Sequence, residues 1–193
     1  EKHLLTFLKS YTPEQKPGKR YQFSVLGMGL LGYVLAECYE KPYSHLLEEK
    51  IYQPLELHDT LIDIDKEQKK HFAQGHNTHL HPTSHWDFDI LRSAGALKSN
   101  VKDLAQFLRC QLNLAEHSLQ RVIQKSHRPV SKAYSLKIAY GWHIYGLMGQ
   151  KIYFHDGQTQ GFQSFIGFNP RQKRGVVVLS NSLNPVNDIG FHV

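Results

Sequence analysis

Residues 151–180 read KIYFHDGQTQGFQSFIGFNPRQKRGVVVLS, and this stretch decides the fold class. Lys151 to His155 is short and strand-like. Phe162 to Phe168 alternates aromatic with small or polar residues, the two-residue period of a pleated strand. Arg174 to Ser180 is rich in β-branched side chains, and Asn169 to Lys173, with its Pro170, reads as a hairpin loop before it. Three successive strands joined by short loops predict an antiparallel meander, because parallel strands need long crossovers.

Upstream the period changes. Ser99 to Leu114 places Leu104, Phe107, Leu108, Gln111 and Leu112 on one side of a helix. Ser99 or Asn100 is positioned to cap it, and Asp103 suits the first-turn dipole. Leu26 to Glu37 is Leu- and Gly-rich with little charge, which predicts a helix buried nearly all round. Gly27, Gly29 and Gly32 cost helix propensity there and make sense where another element approaches closely. Tyr43 to Tyr52 is helical in spacing, with Pro54 as its stop. Residues 57–95 are polar and aperiodic, a long surface loop. The expected division is therefore a mainly helical region over 1–137 and an antiparallel meander over 138–193. Helices in one block and strands in another predict an α+β fold, a helical domain packed on an antiparallel sheet.

A net charge of +6 is spread over scattered basic residues, so no nucleic-acid partner is expected. No apolar run reaches the length of a membrane span. The start at Glu1 without Met reads as an excised or processed piece. Cys38 and Cys110 fall in helical patterns and are expected as buried thiols.

A family resemblance runs through the chain in blocks. Pro17 to Gly32 (PGKRYQFSVLGMGLLG) resembles the "PGxxFxYSNxGYxLLG" stretch of class C β-lactamases, DD-peptidases and related esterases. Tyr52 to Thr60 resembles their "PLGMxDT", and Ser93 to Leu104 their "AGGLxSTxxDLxxF". Tyr140-Gly141-Trp142 is similar to "YGxGW", and His155 to Phe162 to "HxGxTxGF", followed by "FNP" and "VVVLSN". Six blocks in family order carry far more weight than any one.

The resemblance implies a β-lactamase/DD-peptidase-like fold, incomplete at the N-terminus, with an active site between helices and sheet. It implies acyl transfer or hydrolysis of an amide, β-lactam or ester by a serine in a Ser-x-x-Lys motif. That motif precedes the Pro17 to Gly32 block by a long stretch, and only Glu1 to Arg20 precede Tyr21 here. The nucleophile is thus expected outside this chain, and the chain alone is expected to be inactive. Ser99-Asn100-Val101-Lys102 has the right spacing but aligns with a structural block, so it reads as a cap and a surface lysine.

The resemblance also assigns site residues. Phe23 and Val25 stand where the family has Tyr and Asn, which removes a proton-exchanging hydroxyl and a substrate-binding amide. Ser24 keeps its family identity, and Tyr21 lies two residues upstream, on the same side of an extended chain. His155 occupies the Lys position of the family's Lys-Thr-Gly strand, where some esterase-like members have His. Gly157 would let substrate near the strand edge, and the Gln158 N–H would face the oxyanion. Asp156 should point to the opposite face. The departures at Phe23 and Val25 favour a competing reading, a non-catalytic pseudoenzyme or ligand-binding module.

His71, His76, His79, His81 and His85 crowd one polar segment without a helical metal-binding frame. It reads as a rim loop held down by Trp86, with Tyr134 to Trp142 opposite; no metal and no cofactor are expected. The expected partner is a small-molecule or peptidoglycan-like substrate. An exposed strand edge makes self-association of the piece an expectation. The family suggests a bacterial periplasmic or secreted setting.

Overall fold

Six antiparallel strands lie in the sheet in their chain order: β1 (Ser131–Ala133), β2 (Leu136–Ile138), β3 (His143–Leu147), β4 (Gln150–Thr159), β5 (Phe162–Asn169) and β6 (Arg174–Ser180). The computed structural model describes residues 2–147 and 149–192. The helices are α1 (Lys2–Ser10), α2 (Val25–Tyr39), α3 (Tyr43–Leu47), α4 (Gln53–Leu55), α5 (Val101–Gln111), α6 (Gln120–Ser126) and α7 (Asn187–His192). The α+β architecture is the expected one. The sheet starts at Ser131, ahead of the expected boundary at 138, because two three-residue strands are too short to show a period. β4 runs on to Thr159, four residues past the strand read from the sequence.

The strand period sorts the core into two layers. Tyr153 and Phe168, directly paired across β4 and β5, join Leu108 of α5 and Leu112 at its C-cap, together with Trp142 and Ile144. Phe154 and Phe165 point the other way, onto Val186 and the ring of Phe191 in α7. Phe165 is 2% exposed, and burying such a ring stabilises by about 2–3 kcal/mol. A third cluster of Tyr52, Leu55, Leu57, Cys110 and Ile123 ties α4, α5 and α6 together.

Local chemistry sets the helix ends. Ser24 Oγ accepts the Gly27 N–H at 2.9 Å to cap α2, and Glu40 at φ 50° ends it. Asn100, rather than Ser99, caps α5 by accepting the Asp103 N–H at 2.9 Å. Pro54 does not stop its helix at once. The chain widens into a π-turn over Glu48–Tyr52, shifting bonds off the carbonyl that the proline ring would crowd, and ends at Glu56, φ 58°.

The expectation that α2 is buried nearly all round is corrected. Its covered side is narrow: Gly29 and Gly32 are buried against Leu91 and Ser93, and Ser93 Oγ reaches the Met28 carbonyl at 2.7 Å. Met28, Leu31, Val34 and Leu35 are exposed, and so is Cys38, whereas Cys110 is buried as expected. An all-apolar helix has no period to reveal which side is covered.

Candidate functional site

The site begins where one ladder ends. β3 pairs with β4 from Leu147↔Gln150 to His143↔Phe154 and goes no further. β5 continues alongside β4 to Thr159↔Phe162. Among the described residues, 155–159 therefore have a strand partner on one side only. This open stretch contains His155, Gly157 and Gln158, and begins with the half-buried His155.

The extended segment before α2 lies against that corner. The Phe23 ring centroid is 6.4 Å from that of His155, and Tyr21 stands edge-on to His143 at 6.4 Å. His143 and His155 stack with centroids 5.3 Å apart and planes 10° apart. Tyr21 and Phe23 from one sequence block and His155 from another thus meet at a corner that His143 completes. Ser24 spends an acceptor on the α2 cap, and Val25 opens that helix with its side chain exposed. Gln158 is exposed, and its Oε1 accepts from Gln163 Nε2 at 3.0 Å. Asp156 faces the other side of the sheet, where its Oδ2 accepts from Asn187 Nδ2 at 3.2 Å.

His143 was not legible as a site residue. It follows Tyr140-Gly141-Trp142 directly, yet only the β3–β4 register brings it to His155. Burial first, and then the neighbouring His155, hold its imidazole below the usual histidine range, against the pull of Asp156. Gly157 has a reason beyond ligand access: a Cβ there would lie 2.9 Å from Ser164 Oγ on the paired strand.

The histidine-rich segment forms a rim at the far end of the open stretch. The His76 N–H bonds to the Gly161 carbonyl at 3.2 Å and the Asn181 carbonyl at 2.9 Å, and Asn181 Nδ2 donates to the Gln74 carbonyl. Gly161, at φ 87°, lets the two backbones touch; a Cβ there would come within 2.8 Å of Gly75. His85 packs between Phe72 and Phe162, at centroid distances of 4.6 and 5.7 Å. Burial holds its imidazole below the usual range, with Lys98 and Lys69 adding to the effect. The anchor is this aromatic trio. Trp86 is 53% exposed and touches Phe88, which corrects the expectation that it pins the loop. Trp142 is likewise core rather than rim. Among the described residues no three His, Cys, Asp or Glu side chains gather as a metal-holding group. No helix among them is long and apolar enough to cross a membrane.

Ser99 belongs to a structural knot. Thr60 gives its proton to Asp103 Oδ2 at 2.7 Å, so Ser99 donates to Thr60 Oγ1 at 2.8 Å. Lys102 is exposed.

Comparison with known proteins bears on the fold and the family. The β-lactamase family model matches residues 1–190. A β-lactamase of Providencia stuartii is 28% identical over 217 residues, covering 95% of this chain and 56% of that protein. Protein flp of Staphylococcus aureus (strain MW2) is 26% identical over 173 residues, covering 86% of this chain and 34% of its own length. The crystal structure of D-alanine carboxypeptidase AmpC from Burkholderia cenocepacia superposes with a TM-score of 0.91 at 19% identity, over 97% of this chain and 63% of that one. The β-lactamase/D-alanine carboxypeptidase from Pseudomonas syringae gives 0.90 at 21% identity, over 98% and 62%. The chain thus spans less than two thirds of the length of each of these proteins. With the blocks, the sheet order and the family model in agreement, the chain belongs to the β-lactamase family.

Proposed function

We propose that this chain carries the substrate-facing lip of a serine hydrolase that transfers an acyl group from an amide, a β-lactam or an ester to water. On this reading the attacking serine lies in sequence outside these 193 residues. The observation that carries it is the open stretch of β4, residues 155–159, with Phe23 set against His155. Acyl transfer needs a nucleophile, a proton carrier and donors for the developing oxyanion. His155 supplies charge stabilisation or carries a proton. The backbone N–H of Gln158 is one oxyanion donor, and Gly157 keeps the lip low. Tyr21 and Phe23 form the facing wall, with Ser24 and Val25 beyond them. The substrate is a small molecule or a peptidoglycan-like peptide, in keeping with the relatives named as carboxypeptidases.

Phe23 and Val25 cannot exchange a proton or hydrogen-bond an amide, and this favours esters over β-lactams. The same two residues favour a second reading, a non-catalytic ligand-binding module of the same fold. The test uses the parent protein with its upstream sequence, a chromogenic cephalosporin and a short-chain nitrophenyl ester. Ester turnover that falls by about 10²-fold in His155→Ala supports the hydrolase. Absence of turnover together with absence of serine labelling by a fluorophosphonate supports the binding module. The 193-residue chain alone is expected to turn over neither substrate.

A further inference from the structure

His143 is a second imidazole at the site, with no task in the proposed acyl transfer. It starts β3, while His155 is the first β4 residue past the end of their ladder, so the rings meet at the corner. Their centroids are 5.3 Å apart and their planes 10° apart. Two neutral imidazoles stack at that spacing, and a neutral ring also stacks on a protonated one. Two protonated rings face to face repel.

The surroundings decide which ring stays neutral. His143 packs against Phe154, at 5.3 Å, and against the edge of Tyr21. Its pairing neighbour on β2, Ile138, is buried. The titratable groups around His143 are Tyr21 from the extended segment and His155 from β4, with Asp156 acting on it only through its charge. Asp156 commits one carboxylate oxygen to Asn187 of α7 on the other side of the sheet. Burial and the nearby His155 depress proton uptake by His143.

We propose that His143 and His155 act as one stacked unit that holds one proton between its two rings rather than two. His143 stays neutral and serves as the positioning residue that fixes the ring plane of His155. A substrate anion arriving at the lip then meets one positive charge at a fixed place. The inference rests on the reading of His155 as a site residue only for its functional meaning. The coupling itself is a property of this chain.

The test is a proton titration of the imidazoles of the 193-residue chain by ¹H–¹⁵N NMR, from about pH 4.5 to 8.5. The two rings are expected to titrate in two steps at least about one pH unit apart. His155→Gln should raise the midpoint of His143 and reduce it to a single-site curve. Independent one-site curves in the wild-type chain, or a His143 midpoint that ignores His155→Gln, would overturn the proposal. The wild-type curves decide even where the variant fails to fold. Coupled rings in a parent protein without hydrolysis would sink the hydrolase reading alone; uncoupled rings in an active parent would sink the pair alone.

Discussion

The ring of Phe23 lies 6.4 Å from that of His155, tilted by 55°, across the corner where the helical half meets the sheet. A residue just before α2 and a residue on β4 thus share one small space. The resemblance puts a tyrosine at the Phe23 position, so on the proposed reading the site lacks that hydroxyl.

Restoring that hydroxyl gives the first prediction. Phe23→Tyr in the parent protein should raise kcat/KM for β-lactam or ester by about 10²-fold, the ordinary worth of a positioned acid or base. Phe23 is 54% exposed, so unfolding of the variant chain should match wild type. Unchanged kinetics in a folded variant would remove the residue from the chemistry.

The seam between α2 and the turn at Asp89–Ala94 gives the second. An alanine at Gly32 gains helix propensity of up to about 1 kcal/mol. Its Cβ, however, would lie 2.3 Å from Ser93 Cβ, an atom held close to the backbone. Overpacking of this kind costs about 1–3 kcal/mol, so Gly32→Ala should be net destabilising in urea unfolding. A more stable variant would show that the seam is loose.

Asp103 gives the third. It is 2% exposed and accepts from the Asp59 N–H at 2.8 Å and from the Thr60 hydroxyl. Asp103→Ala leaves the Asp59 N–H without an acceptor and the Thr60 hydroxyl with Ser99 Oγ alone. The expected loss is about 3 kcal/mol by chemical denaturation, since hydrogen bonds to charged groups are worth about 1.5–3 kcal/mol each. Ser99→Ala, one bond further out, should cost about 1 kcal/mol.

Stability should also depend on pH. His85, His127 and His143 are all held below the usual histidine range, in each case chiefly by burial. Unfolded imidazoles take up protons near pH 6.5 while these folded ones resist. The unfolded state then binds more protons, so stability is full above about pH 6.5 and is lost as the pH falls toward the folded values. The melting temperature should drop by about 3 °C or more between pH 7.5 and 5.5. His127→Gln should flatten that slope. A melting temperature that holds or rises on acidification would contradict the assignment.

The strands of residues 150–180 were legible because alternation and a proline-containing loop mark them. β1 and β2 were not, since Ser-Lys-Ala and Leu-Lys-Ile carry too few residues for a pattern. The close approach at Gly29 and Gly32 was foreseen from their cost to the helix. The bare side around Leu31 and Cys38 was not, because composition says nothing about what covers a surface. At the site, Tyr21, Phe23 and His155 came from contiguous blocks. His143 did not, because it acquires its neighbour through strand register. Trp86 was chosen as the loop anchor for its size, but Phe72 and His85 hold the segment through contact with Phe162, a partner far away in sequence.

The chain order of the sheet has a kinetic meaning. Every strand bonds only to its immediate predecessor and successor, so each pairing closes a short segment at little entropic cost. Assembly can zip outward from the reversal at Gln160 and Gly161, one hairpin at a time. The histidine-bearing arch is the opposite case: the bond from its His76 ring to the Asn181 carbonyl joins positions 105 residues apart. During refolding this arch is expected to set last, and under mild denaturant to be the first part to loosen while the strands beneath it stay paired.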